Sequence, residues 1–254
     1  ARLNIYDLKD GTIITNPRKH RSTIYAIAIS THDPYFATAG TDDVVIIWNS
    51  EQNKGIVKFS INGSASCLTF SPVAPNLLAC AGTELSIWHP TIKQVVPVTV
   101  PAKVLCAAWS PDGKSFAIGQ LNGTVSVRNS ENAQEIYTHH LQVPVFAMAW
   151  SNDLLIVGDW DNKLSIHKPR DSQLISNENI PAQPSQILNF QSNLLITDIS
   201  GKVCLYNDDG QLLSEVADVK EWIWSASVSP DGYLALGLDD GTVHLYSLGL
   251  RPVY

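Results

Sequence analysis

The sequence predicts an all-β fold made of one four-strand unit used repeatedly, and three observations carry that prediction. First, a short segment of one shape recurs. It is seen as Leu3-Asn4-Ile5-Tyr6-Asp7, Val45-Ile46-Ile47-Trp48-Asn49, Leu85-Ser86-Ile87-Trp88-His89 and Val125-Ser126-Val127-Arg128-Asn129. It continues as Leu164-Ser165-Ile166-His167-Lys168, Val203-Cys204-Leu205-Tyr206-Asn207 and Val243-His244-Leu245-Tyr246-Ser247, and its fourth residue advances by 42, 40, 40, 39, 39 and 40 positions. Second, each period splits into four runs of strand length separated by turn residues, and no stretch keeps a 3.6-residue apolar period. Third, the first run of each unit has one large face (Ile29, Phe70, Trp109, Trp150, Phe190, Val228) and one small face (Ala28, Thr69, Ala108, Ala149, Asn189, Ser227). Four strands in a unit of about 40 residues is the arithmetic of a propeller blade, and the small face suits strands that converge on an axis.

The unit around Trp48 shows the elements in order: Thr23–Ser30, Tyr35–Gly40, Val44–Ser50 and Gly55–Phe59. Asp33-Pro34 and Thr41-Asp42-Asp43 separate them. Ser110-Pro111-Asp112-Gly113 and Ser229-Pro230-Asp231-Gly232 are turns between first and second strands. Proline presets the first turn dihedral, and glycine accepts a positive one. Third strands number seven, but first and second strands number six each. The chain opens inside a unit at Arg2–Leu8 and closes with three strands, Trp222–Ser229, Tyr233–Gly237 and Thr242–Leu248. The expectation is a single propeller domain over residues 1–254 with seven blades, incomplete at the N-terminus. Its first blade lacks the inner strands, its closing outer strand is absent, and the chain is a fragment of a longer multidomain protein. A complete six-bladed ring is the alternative, and it needs Leu3–Leu8 as an outer strand.

Composition narrows the functions. The chain has 254 residues, 44% of them hydrophobic and 16% charged, with 17 Lys+Arg against 24 Asp+Glu. A net charge of -7 gives no electrostatic reason to bind a nucleic-acid backbone. The longest apolar runs are far short of a membrane span. Cys67, Cys80, Cys106 and Cys204 lie singly in apolar runs without C-x-x-C spacing, which reads as buried free thiols. No phosphate loop, nucleophile elbow or H-E-x-x-H pattern occurs, so no catalytic, cofactor or metal residues are expected. His139 and His140 are adjacent and point to opposite faces of a strand, as solvated edge histidines. His167 stands at the repeat's aromatic position, where packing is the natural role. Asp42-Asp43 and Asp239-Asp240 read as turn formers.

These units resemble WD40 repeats along the whole chain. The unit around Trp48 carries Lys19-His20 where that family has Gly-His, and Trp48-Asn49 where it has Trp-Asp. The resemblance implies a buried structural tetrad of His20, Thr38, Asp42 and Trp48. Asn122, Asp161 and Asp240 hold the turn Asp position elsewhere, while Gly82 and Ser200 do not, and no other unit keeps the His. Propellers of this type serve as platforms whose loops contact partners. Trp160, in the turn Gly158-Asp159-Trp160-Asp161, and Trp222, in a column that tolerates polar residues, are the candidate contacts. Arg21 and Lys103 are cationic candidates at the same level. Trp224 aligns with Tyr25, Leu105 and Phe146 and is expected between blades.

The order of degraded repeats is more specific than any one of them. Val44–Ser50 followed by Gly55–Phe59, Phe116–Asn129, Gly158–Ser165, Glu221-Trp222-Ile223-Trp224-Ser225 and Asp239-Asp240-Gly241-Thr242 together resemble the first propeller of the intraflagellar transport protein 122 family. The resemblance implies a non-enzymatic scaffold in the retrograde, A-type intraflagellar transport complex. It implies partners among the other subunits of that complex, ciliary membrane-protein cargo or adaptors, and a place on the cytoplasmic side of the cilium or flagellum and its basal body. A vesicle-coat subunit of the coatomer type and a propeller enzyme with a channel active site are the alternatives. Nucleic acid, cofactors and a membrane span are not expected.

Overall fold

The structure is a computed structural model that describes residues 3–6, 11–15, 19–52, 54–90 and 94–249. A two-stranded ribbon opens it, β1 (Ile5–Tyr6) with β2 (Ile13–Thr15). Six antiparallel sheets follow in chain order, each a meander of sequential strands. The first is β3 (Ile24–Ile29), β4 (Tyr35–Gly40), β5 (Val44–Asn49) and β6 (Lys54–Ser60). The second is β7 (Ala65–Phe70), β8 (Leu77–Ala81), β9 (Glu84–His89) and β10 (Gln94–Thr99). The third is β11 (Val104–Trp109), β12 (Ser115–Gln120), β13 (Thr124–Asn129) and β14 (Glu135–His140). The fourth is β15 (Val145–Ser151), β16 (Leu154–Asp159), β17 (Lys163–Lys168) and β18 (Gln173–Asn179), with a single 3-10 turn at Pro169–Asp171. The fifth is β19 (Pro184–Phe190), β20 (Asn193–Asp198), β21 (Lys202–Tyr206) and β22 (Leu212–Asp218). The last has three strands among the described residues, β23 (Ile223–Val228), β24 (Tyr233–Leu238) and β25 (Val243–Ser247).

The fold is therefore an all-β propeller of six blades, not the seven that the count of third strands suggested. The seventh copy of the pattern, around Tyr6, pairs with β2 alone, and its register shifts between Ile5 and Tyr6. Arg2, Asp7 and Leu8 lie outside the described residues. An alternating pattern specifies a strand with one buried face, but not the sheet that strand joins. Leu3 and Ile5 instead pack against the first blade beside Phe36, Ile46 and Trp48.

The chain divides into two compact units, residues 1–118 with 128–134, and residues 119–127 with 135–254. Both bury their cores between successive sheets. In the first unit, Ala37, Ala39, Val45 and Ile47 meet Leu68, Phe70, Leu77 and Ala79. Leu78, Cys80, Leu85 and Ile87 then meet Val104, Trp109, Phe116 and Ile118. In the second, Ala147, Ile156, Leu164 and Ile166 meet Ile187, Leu194 and Ile196. Leu195 and Val203 meet Ile223, Leu234, Leu236 and Leu238. Middle strands are buried on both faces, and most of their charged residues stand at the strand ends. The large face of the first strands is buried at Leu68, Phe70, Trp109, Met148 and Trp150, whereas Ile27 and Ile29 are exposed. Burial of that face depends on a neighbouring sheet rather than on the strand itself.

Five of the first strands, β3, β7, β15, β19 and β23, share one irregularity that positions the functional candidates. Pairing with the second strand slips between Ile24 and Ala26, Ala65 and Cys67, Val145 and Ala147, Pro184 and Gln186, and Ile223 and Ser225. A bulge leaves its extra residue out of the ladder and re-aims its side chain. The residues so displaced are Tyr25, Ser66, Phe146, Ser185 and Trp224.

Candidate functional site

A connected polar group lies in the first blade. Trp48 Nε1 donates to Thr38 Oγ1 at 2.8 Å, and Thr38 Oγ1 lies 2.7 Å from His20 Nε2. His20 Nδ1 lies 3.0 Å from Asp42 Oδ1 and 3.1 Å from Oδ2, and the Arg21 backbone N–H donates to Asp42 Oδ2 at 2.8 Å. The carboxylate draws the imidazole proton to Nδ1, so Nε2 accepts the Thr38 hydroxyl proton. Burial acts to raise the Asp42 carboxyl, but the bonds from His20 and the Arg21 amide outweigh it and hold its pKa below the usual value. Phe36 stacks on Trp48 with centroids 5.8 Å apart. The bonds thus run from Asp42 through His20 and Thr38 to Trp48 across one blade.

Asp42, His20 and Thr38 are connected as an acid, a base and a hydroxyl, the order of a nucleophilic triad. The arrangement cannot act as one. Thr38 is 0% exposed, and its oxygen already accepts the Trp48 indole N–H. The chain of bonds ties the strands and turns of the blade together.

Other blades solve the same problem with different residues. His167, 0% exposed at the repeat's aromatic position, bonds Tyr137 Oη through Nδ1 and Ser165 Oγ through Nε2, each at 2.9 Å. Asp159 Oδ1 accepts the backbone N–H of Asp161 and Lys163, and Asp198 Oδ1 accepts those of Ser200 and Lys202. Sequence reading missed Asp159 and Asp198 because it sought the turn carboxylate at the conserved-looking spacing before the repeat aromatic. Both instead sit at the last position of a second strand. His139 is half-buried, not solvated, with its ring 5.1 Å from that of His167. His140 turns the other way, to Thr124 Oγ1 at 3.1 Å.

The four cysteines are free thiols, and only Cys80 is fully buried. Cys67 and Cys80 are cross-strand partners, a proximity that sequence spacing hides. A hydrogen bond with Cys67, then burial and the nearness of Cys106, push the Cys80 thiol well above its ordinary pKa. Among the described residues no group of three or more His, Cys, Asp and Glu side chains could hold a metal ion. No described helix is long and apolar enough to cross a membrane.

The aromatic candidates belong to the second unit. Trp160 is 53% exposed and tilts on Phe146, with centroids 5.1 Å apart. Trp222 is 47% exposed and stacks on Trp224 at 5.7 Å with 30° between the rings. Trp224 was expected between blades, yet it is 62% exposed. The bulge at the start of β23 displaces it, and its Nε1 donates to Asp239 Oδ1 at 2.7 Å in the next turn. The two turns are equivalent, since the Trp160 backbone N–H donates to Pro144 O and that of Asp239 to Trp222 O. Arg21 and Lys103 are exposed residues of the first unit, and each precedes the first strand of its blade.

A family model described as the IFT122 first beta-propeller matches residues 1–247. The chain is 30% identical over 265 residues to intraflagellar transport protein 122 homologs of Danio rerio and Mus musculus. Each match covers 100% of this chain and 22% of the relative, so the chain spans less than a quarter of their length. It is also 26% identical over 121 residues to small ribosomal subunit protein RACK1z of Oryza sativa subsp. japonica, covering 44% of this chain and 36% of that protein.

Proposed function

Since this chain belongs to the IFT122 first beta-propeller family, we propose that it is a non-enzymatic docking propeller within a subunit of the retrograde, A-type intraflagellar transport complex. In this reading it is one domain of a longer multidomain protein. It holds neighbouring subunits together at the cilium or flagellum and its basal body, on the cytoplasmic side, and helps carry membrane-protein cargo or its adaptors. The observation that carries the docking role is the pair of exposed indoles, Trp160 in the turn between β16 and β17 and Trp222 in the connection that enters β23. Neither indole is required by the strand ladders, and large exposed aromatics of this kind anchor interfaces. Arg21 and Lys103 extend the contact candidates to the first unit. The polar chain of His20, Thr38, Asp42 and Trp48 is structural, because its hydroxyl is buried and already bonded.

The test is Trp160→Ala and Trp222→Ala in the full-length subunit, followed by affinity purification of the assembled complex. Loss of co-purifying subunits with unchanged folding supports docking through these turns. Undiminished assembly removes both residues from the interface.

A further inference from the structure

We infer that the aromatic turn of the last blade recognises a positively charged, arginine-bearing segment of a partner protein. This deepens the reading of Trp222 as a docking residue and rests on it. The bulge in β23 turns Trp224 out of the ladder, and Trp222 stacks on it, so the rings cover each other's inner sides and each offers its outer face. The Trp224 N–H is already committed to Asp239, which fixes the indole and leaves the outer faces of the stacked pair as the recognition surface. One carboxylate, Asp239, bonds the Trp224 ring, and others lie near the pair in the chain. Glu221 is next to Trp222 in the chain, Asp239 is bonded to the Trp222 backbone carbonyl through its own N–H, and Asp240 follows. Thr242 donates to Asp240 Oδ1 through its backbone N–H at 2.8 Å and its hydroxyl at 2.7 Å, which keeps that carboxylate ionised. The remaining charged and titratable groups of these turns are Asp218, whose Oδ1 accepts the Lys220 backbone N–H, Lys220 itself, and His244 facing Asp240. Four carboxylates against one ammonium leave the turn strongly negative.

Indole faces edged by carboxylates suit a planar guanidinium. It stacks on the ring while its N–H groups reach the acids. A neutral apolar segment would satisfy the rings but leave the acids unanswered, and an acidic one would be repelled.

The experiment titrates this chain into a fluorescein-labelled arginine–glycine repeat peptide and follows anisotropy. A citrulline twin, neutral and nearly the same shape, is the comparison. The arginine peptide is expected to bind and the citrulline twin to lose at least tenfold. Trp222→Ala and the double change Glu221→Gln with Asp239→Asn are each expected to weaken binding by about threefold to fivefold. Asp231→Asn, which removes a charge in a turn between first and second strands, is expected to change nothing. Equal binding of the citrulline twin, equal weakening by Asp231→Asn, or no binding of the arginine peptide overturns the inference. Broken assembly with Trp222→Ala beside a silent arginine peptide overturns the cationic partner and keeps the docking reading. Peptide binding that depends on Trp222 beside intact assembly removes the docking reading and, with it, the partner segment that this inference names.

Discussion

His167 makes the stability of the second unit depend on acid. Its two ring nitrogens are satisfied only in the neutral form. The Ser165 hydroxyl points its proton toward the Val157 carbonyl, so it accepts from Nε2–H, while Nδ1 accepts from Tyr137 Oη. Burial first, and the neighbouring His139 second, lower the His167 pKa from 6.5 to about 4. A group with a lowered folded pKa binds its proton more tightly in the unfolded chain. Its contribution is therefore fully present above pH 6.5 and is lost as pH falls from 6.5 toward 4. At about 1.4 kcal/mol per pKa unit, the loss between pH 7 and pH 4 is about 3 kcal/mol. That corresponds to roughly 6–12 °C in Tm for a chain of this size. The control is His167→Gln, which keeps one donor and one acceptor but does not titrate. Urea unfolding of both proteins across this range should give a pH dependence about 3 kcal/mol steeper for the native chain. Parallel curves, or an imidazole NMR titration of His167 centred near 6.5, would refute the reasoning.

Two further changes test the packing of each unit. Thr38→Val removes the oxygen shared by Trp48 and His20 and should cost about 2–4 kcal/mol in urea unfolding, with Thr38→Ser restoring most of it; a loss under about 1 kcal/mol would mean the bonds carry little. Gly123 and Gly241 both have φ +83°, but a Cβ at Gly123 would lie 2.3 Å from the Leu141 carbonyl oxygen, whereas none of the neighbours of Gly241 comes within 4 Å. Gly123→Ala should therefore destabilise by at least about 1 kcal/mol more than Gly241→Ala, and equal losses would show that the backbone dihedral alone matters.

Legibility differed between strands and contacts. The strands Tyr35–Gly40, Val44–Asn49 and Ile24–Ile29 follow from alternating residues and flanking turn chemistry, and the structure places them within a residue or so of the expected limits. The polar chain from Asp42 to Trp48 was legible through a familiar constellation of residue types. The equivalent of that chain around His167 was not, because Tyr137 comes from the outer strand of the preceding blade, 30 residues away. Trp224 was misread because a bulge displaces one residue without altering the apolar pattern around it.

The sequence by itself determined that the chain is all-β and where its strands and turns fall. Each of these depends on local periodicity and dihedral preference, which are written residue by residue. Only the tertiary structure decided the number of blades, because pairing is a property of two strands and β1 found only β2. Only it decided which aromatic rings are buried. Trp48 and Trp224 both bond a neighbour through Nε1, but the ladder holds the first inside a blade and the bulge turns the second outward.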